Sequence, residues 1–165
     1  MRKIDGLMHL RGSNLEKTRF AATPTVREDY EFFQDRPLDD EVDSGDLEYV
    51  NRVIPEDHIE GSSVTIVLCG LETWKRRFID WEIASTLHHE HALLGILIPG
   101  TPTRGDGKIA VPDRLYDNIQ SGYAGFITWP NMAAELNTYI EKAISKSIFK
   151  VLIRNDRQKM RRNLP

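Results

Sequence analysis

Residues 62–100 read SSVTIVLCGLETWKRRFIDWEIASTLHHEHALLGILIPG, and their pattern sets the architecture. SSVTIVLCG (62–70) is a continuous β-rich apolar run closed by glycine, the signature of a strand buried on both faces. Residues 72–91 follow with Ile79, Ile83 and Leu87 at four-residue spacing, which predicts an amphipathic helix. Thr73 is its expected N-cap, and the histidines fall near its C-terminal end, where the helix dipole favours positive charge. ALLGILIPG (92–100) is a second apolar run, ended by Pro99 and Gly100. Strand, helix and strand at this spacing predict a βαβ unit with parallel strands and a right-handed crossover.

Outward from this unit the signals thin. TPTRGDGK (101–108) reads as a loop from its Gly, Pro and Asp content. VPDRLYDNIQSG (111–122) reads as a short helix, with Pro112 near its start and Gly122 at its end. YAGFITW (123–129) is a strand stopped by Pro130, and residues 131–152 form a long helix with Leu136, Ile140, Ala143 and Ile144 on one face. Upstream, DLEYVNRVI (46–54) reads as helical up to Pro55, and the acidic stretch 35–46 as a loop. Residues 1–34 fit no element clearly. With no repeat and no dividing linker, residues 1–152 form one three-layer α/β domain with a mostly parallel sheet. The basic residues 153–165 form a solvated tail.

Composition narrows the function classes. A chain of 165 residues with 28% charged side chains and a formal net charge of -3 is globular and lacks a broad basic face for nucleic acid. No apolar run reaches the roughly 20 residues that span a bilayer, and the N-terminus has no signal-peptide core, so the expected location is cytoplasmic. Cys69, the one cysteine, reads as a small buried hydrophobe.

The run SSVTIVLCGLETWKRRFIDWEI, with LLGILIPG and VPDRLYDNIQSGYAGFITWP after it, resembles the TIR-like family of bacterial and archaeal proteins, including those of Thoeris anti-phage systems. The resemblance spans roughly residues 46–145. It implies a flavodoxin-like fold with a parallel five-stranded sheet. Catalytic members cleave the nicotinamide–ribose bond of NAD, and Thoeris-type members make a cyclic ADP-ribose signal that activates a partner effector. The family's essential glutamate, in a Trp-x-x-x-Glu-Ile/Leu setting, falls on Glu82; the aromatic four residues earlier is Phe78 instead of tryptophan. The resemblance therefore implies an NAD glycohydrolase or cyclase with NAD as substrate and no cofactor or metal. Another departure lies in GLMHLRGSN (6–14), which lacks the aromatic-serine pair of the family's first strand.

The residues themselves suit that chemistry. Nicotinamide in NAD is already cationic and leaves without protonation, so one carboxylate that stabilises the positive ribose suffices, unlike the pair in ordinary glycosidases. On a continuous helix Trp74, Phe78 and Glu82 would share a face, an acid above two aromatic platforms that bind substrate. The other reading is a non-catalytic module acting by self-association or partner binding, with Glu82 a marginal helix residue. HHEH (88–91) offers His88, Glu90 and His91 as metal ligands, but no second cluster completes a shell. Arg76 and Arg77 can pair with acids or approach a diphosphate. Asp35, Asp43 and Ser44 lie on a loop that in the family touches substrate or a neighbouring subunit; they read as solvated and stay outside the site.

Overall fold

The structure, a computed structural model, describes residues 6–10 and 63–165. The helix expected at 46–54, the acidic loop, and Asp35, Asp43 and Ser44 lie outside the described residues.

Among the described residues four strands form one sheet in the order β1 (Gly6–Leu10), β2 (Val64–Cys69), β3 (Ala92–Leu97), β4 (Gly125–Thr128). β2, β3 and β4 are parallel, with Val64 opposite Ala92 and Leu94 opposite Gly125. β1 runs antiparallel to β2, with Met8 opposite Ile66. The expected α/β class and the parallel βαβ unit are present. The five parallel strands are not: among the described residues three strands are parallel and a fourth is antiparallel, a mixture common in sheets of this class.

Among the described residues three α-helices cover the sheet: α1 (Arg77–His88), α2 (Asp113–Gln120) and α3 (Ala133–Lys146). Alternation along β2 sends its side chains to two cores. Val64, Ile66 and Leu68 meet Leu136, Ile140 and Ala143 of α3. Val67 and Cys69 meet Ile83 and Leu87 of α1 and Leu115 of α2 on the other face. Layers of helix, sheet and helix result, and the doubly buried strands explain the unbroken apolar runs. On β3, Gly95 leaves room for its neighbours: a Cβ there would lie 2.6 Å from the Phe126 ring and 3.1 Å from Leu115.

The helix expected over 72–91 is broken. A single 3-10 turn spans Thr73–Lys75, Arg76 is extended, and α1 begins at Arg77. The cause is Thr73. Its Oγ1 donates to the carbonyl of Leu68 (3.0 Å) and accepts from the N–H of Gly70 (2.9 Å), fastening it to the strand end instead of to α1. Thr73 is thus not the N-cap of α1. Arg76 holds that position without a side-chain cap bond, and the Arg77 N–H donates to Asn163 Oδ1 from the tail (2.9 Å). The last predicted helix is also shorter: α3 stops at Lys146, and a 3-10 turn covers Lys150–Leu152.

Side chains of residues 154–165 are mostly exposed, as expected of a solvated tail, yet its backbone is tied down. The hub is a buried ion pair. Arg114 on α2 donates from Nε to Asp80 Oδ1 on α1 (2.9 Å) and from Nη2 to Asp80 Oδ2 (3.3 Å), with both side chains almost wholly excluded from water. Asp80 Oδ2 also accepts from the Met160 N–H (2.8 Å), and Arg114 Nη1 donates to Asn155 Oδ1 (2.8 Å). Asn155 Nδ2 donates in turn to the Ala84 carbonyl, and Trp81 Nε1 to the Met160 carbonyl. Asn118 serves the tail as a strand would, accepting from the Arg154 N–H and donating to the Arg154 carbonyl.

A buried pair stripped of one member leaves an uncompensated charge. Arg114→Ala is therefore expected to lower stability by about 3–5 kcal/mol in urea unfolding, and Asp80→Leu by a similar amount. The double variant Asp80→Leu/Arg114→Met should cost much less than the two single losses combined. Additive losses in that cycle would show that the pair is not coupled.

Candidate functional site

The predicted site residues fall into two groups. Phe78 and Glu82 are one turn apart on α1, both half-buried, on the edge roughly opposite Asp80 and Ala84 by the 100° helical step. Trp74 is not on that helix, so the three do not share a helical face.

The backbone at Glu82 is held through two buried hydroxyls. Thr86 Oγ1 donates to the Glu82 carbonyl (2.9 Å) and lies 2.8 Å from Thr65 Oγ1 on β2. Since the single hydroxyl proton of Thr86 goes to Glu82, Thr65 is the donor of the second bond. Both threonines are fully buried, so this short chain fixes the middle of α1 on the sheet. Phe78 packs edge-on to Trp81 at 5.5 Å, and the Arg77 guanidinium lies over the Phe78 ring at 4.8 Å. Arg77 is thus an aromatic-stacked cation, while Arg76 is exposed.

A cleft of about 190 Å³ opens at the carboxyl ends of β2 and β3, the place where parallel α/β sheets receive ligands. Trp74 and Lys75 form one side; Thr101, Thr103 and Arg104 form the other. Glu82 and Phe78 do not line it. Its two rims are bonded together, because the Ile98 N–H donates to the Cys69 carbonyl (3.0 Å) at the strand ends. Trp74 Nε1 donates to the Leu71 carbonyl (3.1 Å), and the Arg104 guanidinium covers the indole at 4.6 Å. The expected loop at 101–108 is a tight turn that positions Arg104. Its carbonyl accepts from the Gly107 N–H (2.8 Å), its N–H donates to the Lys108 carbonyl (2.7 Å), and Gly107 adopts φ 76°, a conformation suited to glycine. Arg104 is a site residue that periodicity could not find, since a lone arginine in a loop carries no pattern.

The other chemical candidates resolve simply. Cys69 points into the core beside α1 and α2, and burial pushes its thiol up to about 12. The His88 and His89 rings meet edge-on at 5.3 Å, and Glu90 pairs with Lys150. Among the described residues no group of three or more His, Cys, Asp or Glu side chains is placed to hold a metal ion.

Residues 15–103 match the family model described as the Thoeris protein ThsB, TIR-like domain, over more than half of the chain. The chain belongs to this TIR-like family. The matched region contains β2, α1 with Glu82, and β3, and it ends at Thr103, one residue before Arg104. No curated protein and no solved structure matches the chain. No helix among the described residues is long and apolar enough to cross a membrane.

Two buried acids set an alkaline limit on the stability of this fold. Burial holds the Cys69 thiol at about 12 against an ordinary 9.0. Burial, aided by the Glu90 charge, holds the Tyr123 phenol at about 12 against 10.0. Above these ordinary values the unfolded chain gives up protons that the folded chain retains, so stability falls as pH rises. Urea midpoints should therefore drop from about pH 9 upward, and Cys69→Ala should remove the earlier part of the decline. At pH 8 an alkylating reagent should modify Cys69 only in denaturant; rapid native modification would show an accessible thiol.

Proposed function

We propose that the protein is an NAD-cleaving enzyme, a glycohydrolase or ADP-ribosyl cyclase, that produces a nucleotide signal in anti-phage defence. The observation that carries this reading is Glu82: a half-buried carboxylate in the Trp-Glu-Ile sequence of a TIR-like family member, on a helix backbone clamped to β2 by Thr86 and Thr65. A carboxylate held in place before the reaction stabilises developing positive charge without the reorganisation that water would require.

In this mechanism the C–N bond between ribose and nicotinamide breaks, and its electron pair leaves with nicotinamide, which departs neutral. The ribosyl carbon and ring oxygen share the positive charge, and Glu82 stabilises it. Water then attacks to give linear ADP-ribose, or a nucleophile of the adenine end attacks to close a ring; either nucleophile loses its proton. Phe78 and Trp74 are proposed as substrate-contacting residues, Phe78 on the face of Glu82 and Trp74 in the cleft at the strand ends. No cofactor is required, since NAD is the substrate. The downstream partner in this reading is an effector reached through the nucleotide product.

A second reading, a non-catalytic module acting by self-association, draws on the exposed apolar residues Ile148 (70%), Phe149 (53%) and Val151 (81%) after α3. Such residues mark interaction surfaces when they cluster.

The deciding experiment is NAD turnover by concentrated purified protein, with products identified by mass spectrometry. Wild type should release nicotinamide, and Glu82→Gln should lower the rate at least roughly 100-fold with an unchanged thermal melt. Nicotinamide release that persists in Glu82→Gln removes the catalytic assignment. Silence from the wild type, with a related nucleotide also tried, favours the self-associating module.

A further inference from the structure

The cleft at the carboxyl ends of β2 and β3 carries an asymmetric set of charges. Lys75 is paired with Glu72 at 3.4 Å. Arg104 lies across the Trp74 ring, and among the described residues no carboxylate pairs with it. With Glu72 offsetting Lys75, the lining keeps one net positive charge, which belongs to Arg104. That guanidinium is held by an indole face behind it and by a glycine-containing turn beneath it. A guanidinium held this way keeps its planar fork of donors for an incoming anion, and phosphate oxygens match that fork.

Size narrows the ligand further. At about 190 Å³ the cleft falls below the roughly 300–1,000 Å³ of sites that enclose a drug-sized molecule. It therefore accepts one end of a larger ligand. Its lining sets Trp74, Thr101 and Thr103 beside the cation, an aromatic and small polar surface suited to a sugar next to a phosphate.

We propose that this cleft is a phosphate-recognition subsite for a nucleotide, with Arg104 binding the phosphoryl oxygens and Trp74 packing against the adjoining ribose. Lys75 adds a second cation once the anion draws it from Glu72. This deepens the nucleotide reading above, yet it concerns binding and does not require turnover. It also assigns to Arg104 a role that the family match, ending at Thr103, does not cover.

The test is calorimetric titration of the full chain with ADP and, separately, with adenosine. ADP should bind saturably, at least tenfold tighter than adenosine, and more weakly as salt rises. Arg104→Gln should weaken ADP about 10- to 100-fold, as expected for losing a hydrogen-bonded charge pair. Arg104→Lys should restore part of that loss. Arg104 sits on an exposed turn outside both cores, and circular dichroism of each variant verifies the fold. Equal affinity for ADP and adenosine, unchanged ADP affinity in Arg104→Gln, or no saturable heat at ADP up to about 10 mM would each overturn the proposal. The two readings separate cleanly. ADP binding through Arg104 without nicotinamide release leaves the subsite standing and removes catalysis. NAD turnover with an unchanged KM in Arg104→Gln does the reverse.

Discussion

The bidentate pair between Asp80 and Arg114 is the contact on which the helical face of the molecule is assembled. It joins α1 to α2 inside a volume that water does not reach, where a charge must have its partner and its remaining hydrogen bonds satisfied. The remaining bonds come from the tail: the Met160 N–H on the aspartate and the Asn155 amide on the arginine. A stretch rich in charge and poor in apolar residues is thus held by polar geometry. The same tail satisfies groups at and near the start of α1. Asn163 accepts from the Arg77 N–H, and the Lys75 carbonyl accepts from the Leu164 N–H. The helix that carries Glu82 is therefore fixed at its beginning by the tail and at its middle by Thr86 and Thr65.

How much of this was legible in the sequence follows from what periodicity can carry. β2 and β3 were readable because burial on both faces forces an unbroken apolar run. α1 was readable because Ile79, Ile83 and Leu87 must meet the sheet from one side. The break at Arg76 was not readable. ETWKRR contains no proline or glycine, and the interruption arises from the two hydrogen bonds of Thr73, which only the folded strand end supplies. The tail was read as solvated for the same reason. Its anchors are backbone groups and asparagine side chains, and neither leaves a pattern in hydropathy. Nothing local in the sequence joins Asp80 to Arg114, because their pairing spans 34 positions in the chain.

The candidate site divides along the same line. The position of Glu82 came from a motif on one helix, a local feature that survives in the fold as a half-buried residue. Its grouping with Trp74 rested on a continuous helix, and it dissolved when that helix proved to be a turn followed by α1. What Trp74 contacts instead is Arg104, thirty positions away, brought near by adjacent parallel strands whose ends face the same way. Parallel strands gather the loops that follow them, whatever those loops contain.

The bond between the Ile98 N–H and the Cys69 carbonyl has a kinetic consequence. Because the cleft's two rims are consecutive strand ends joined in the ladder, they cannot swing apart as hinged lobes do. Among the described residues, motion at the opening is left to exposed lining side chains such as Leu71 and Thr103. Rotamer changes of exposed side chains take picoseconds to nanoseconds, whereas lids and domains open in microseconds to milliseconds. Among the described residues nothing larger than a side chain therefore gates this cleft, and against them the residence time of an occupant is set by its contacts.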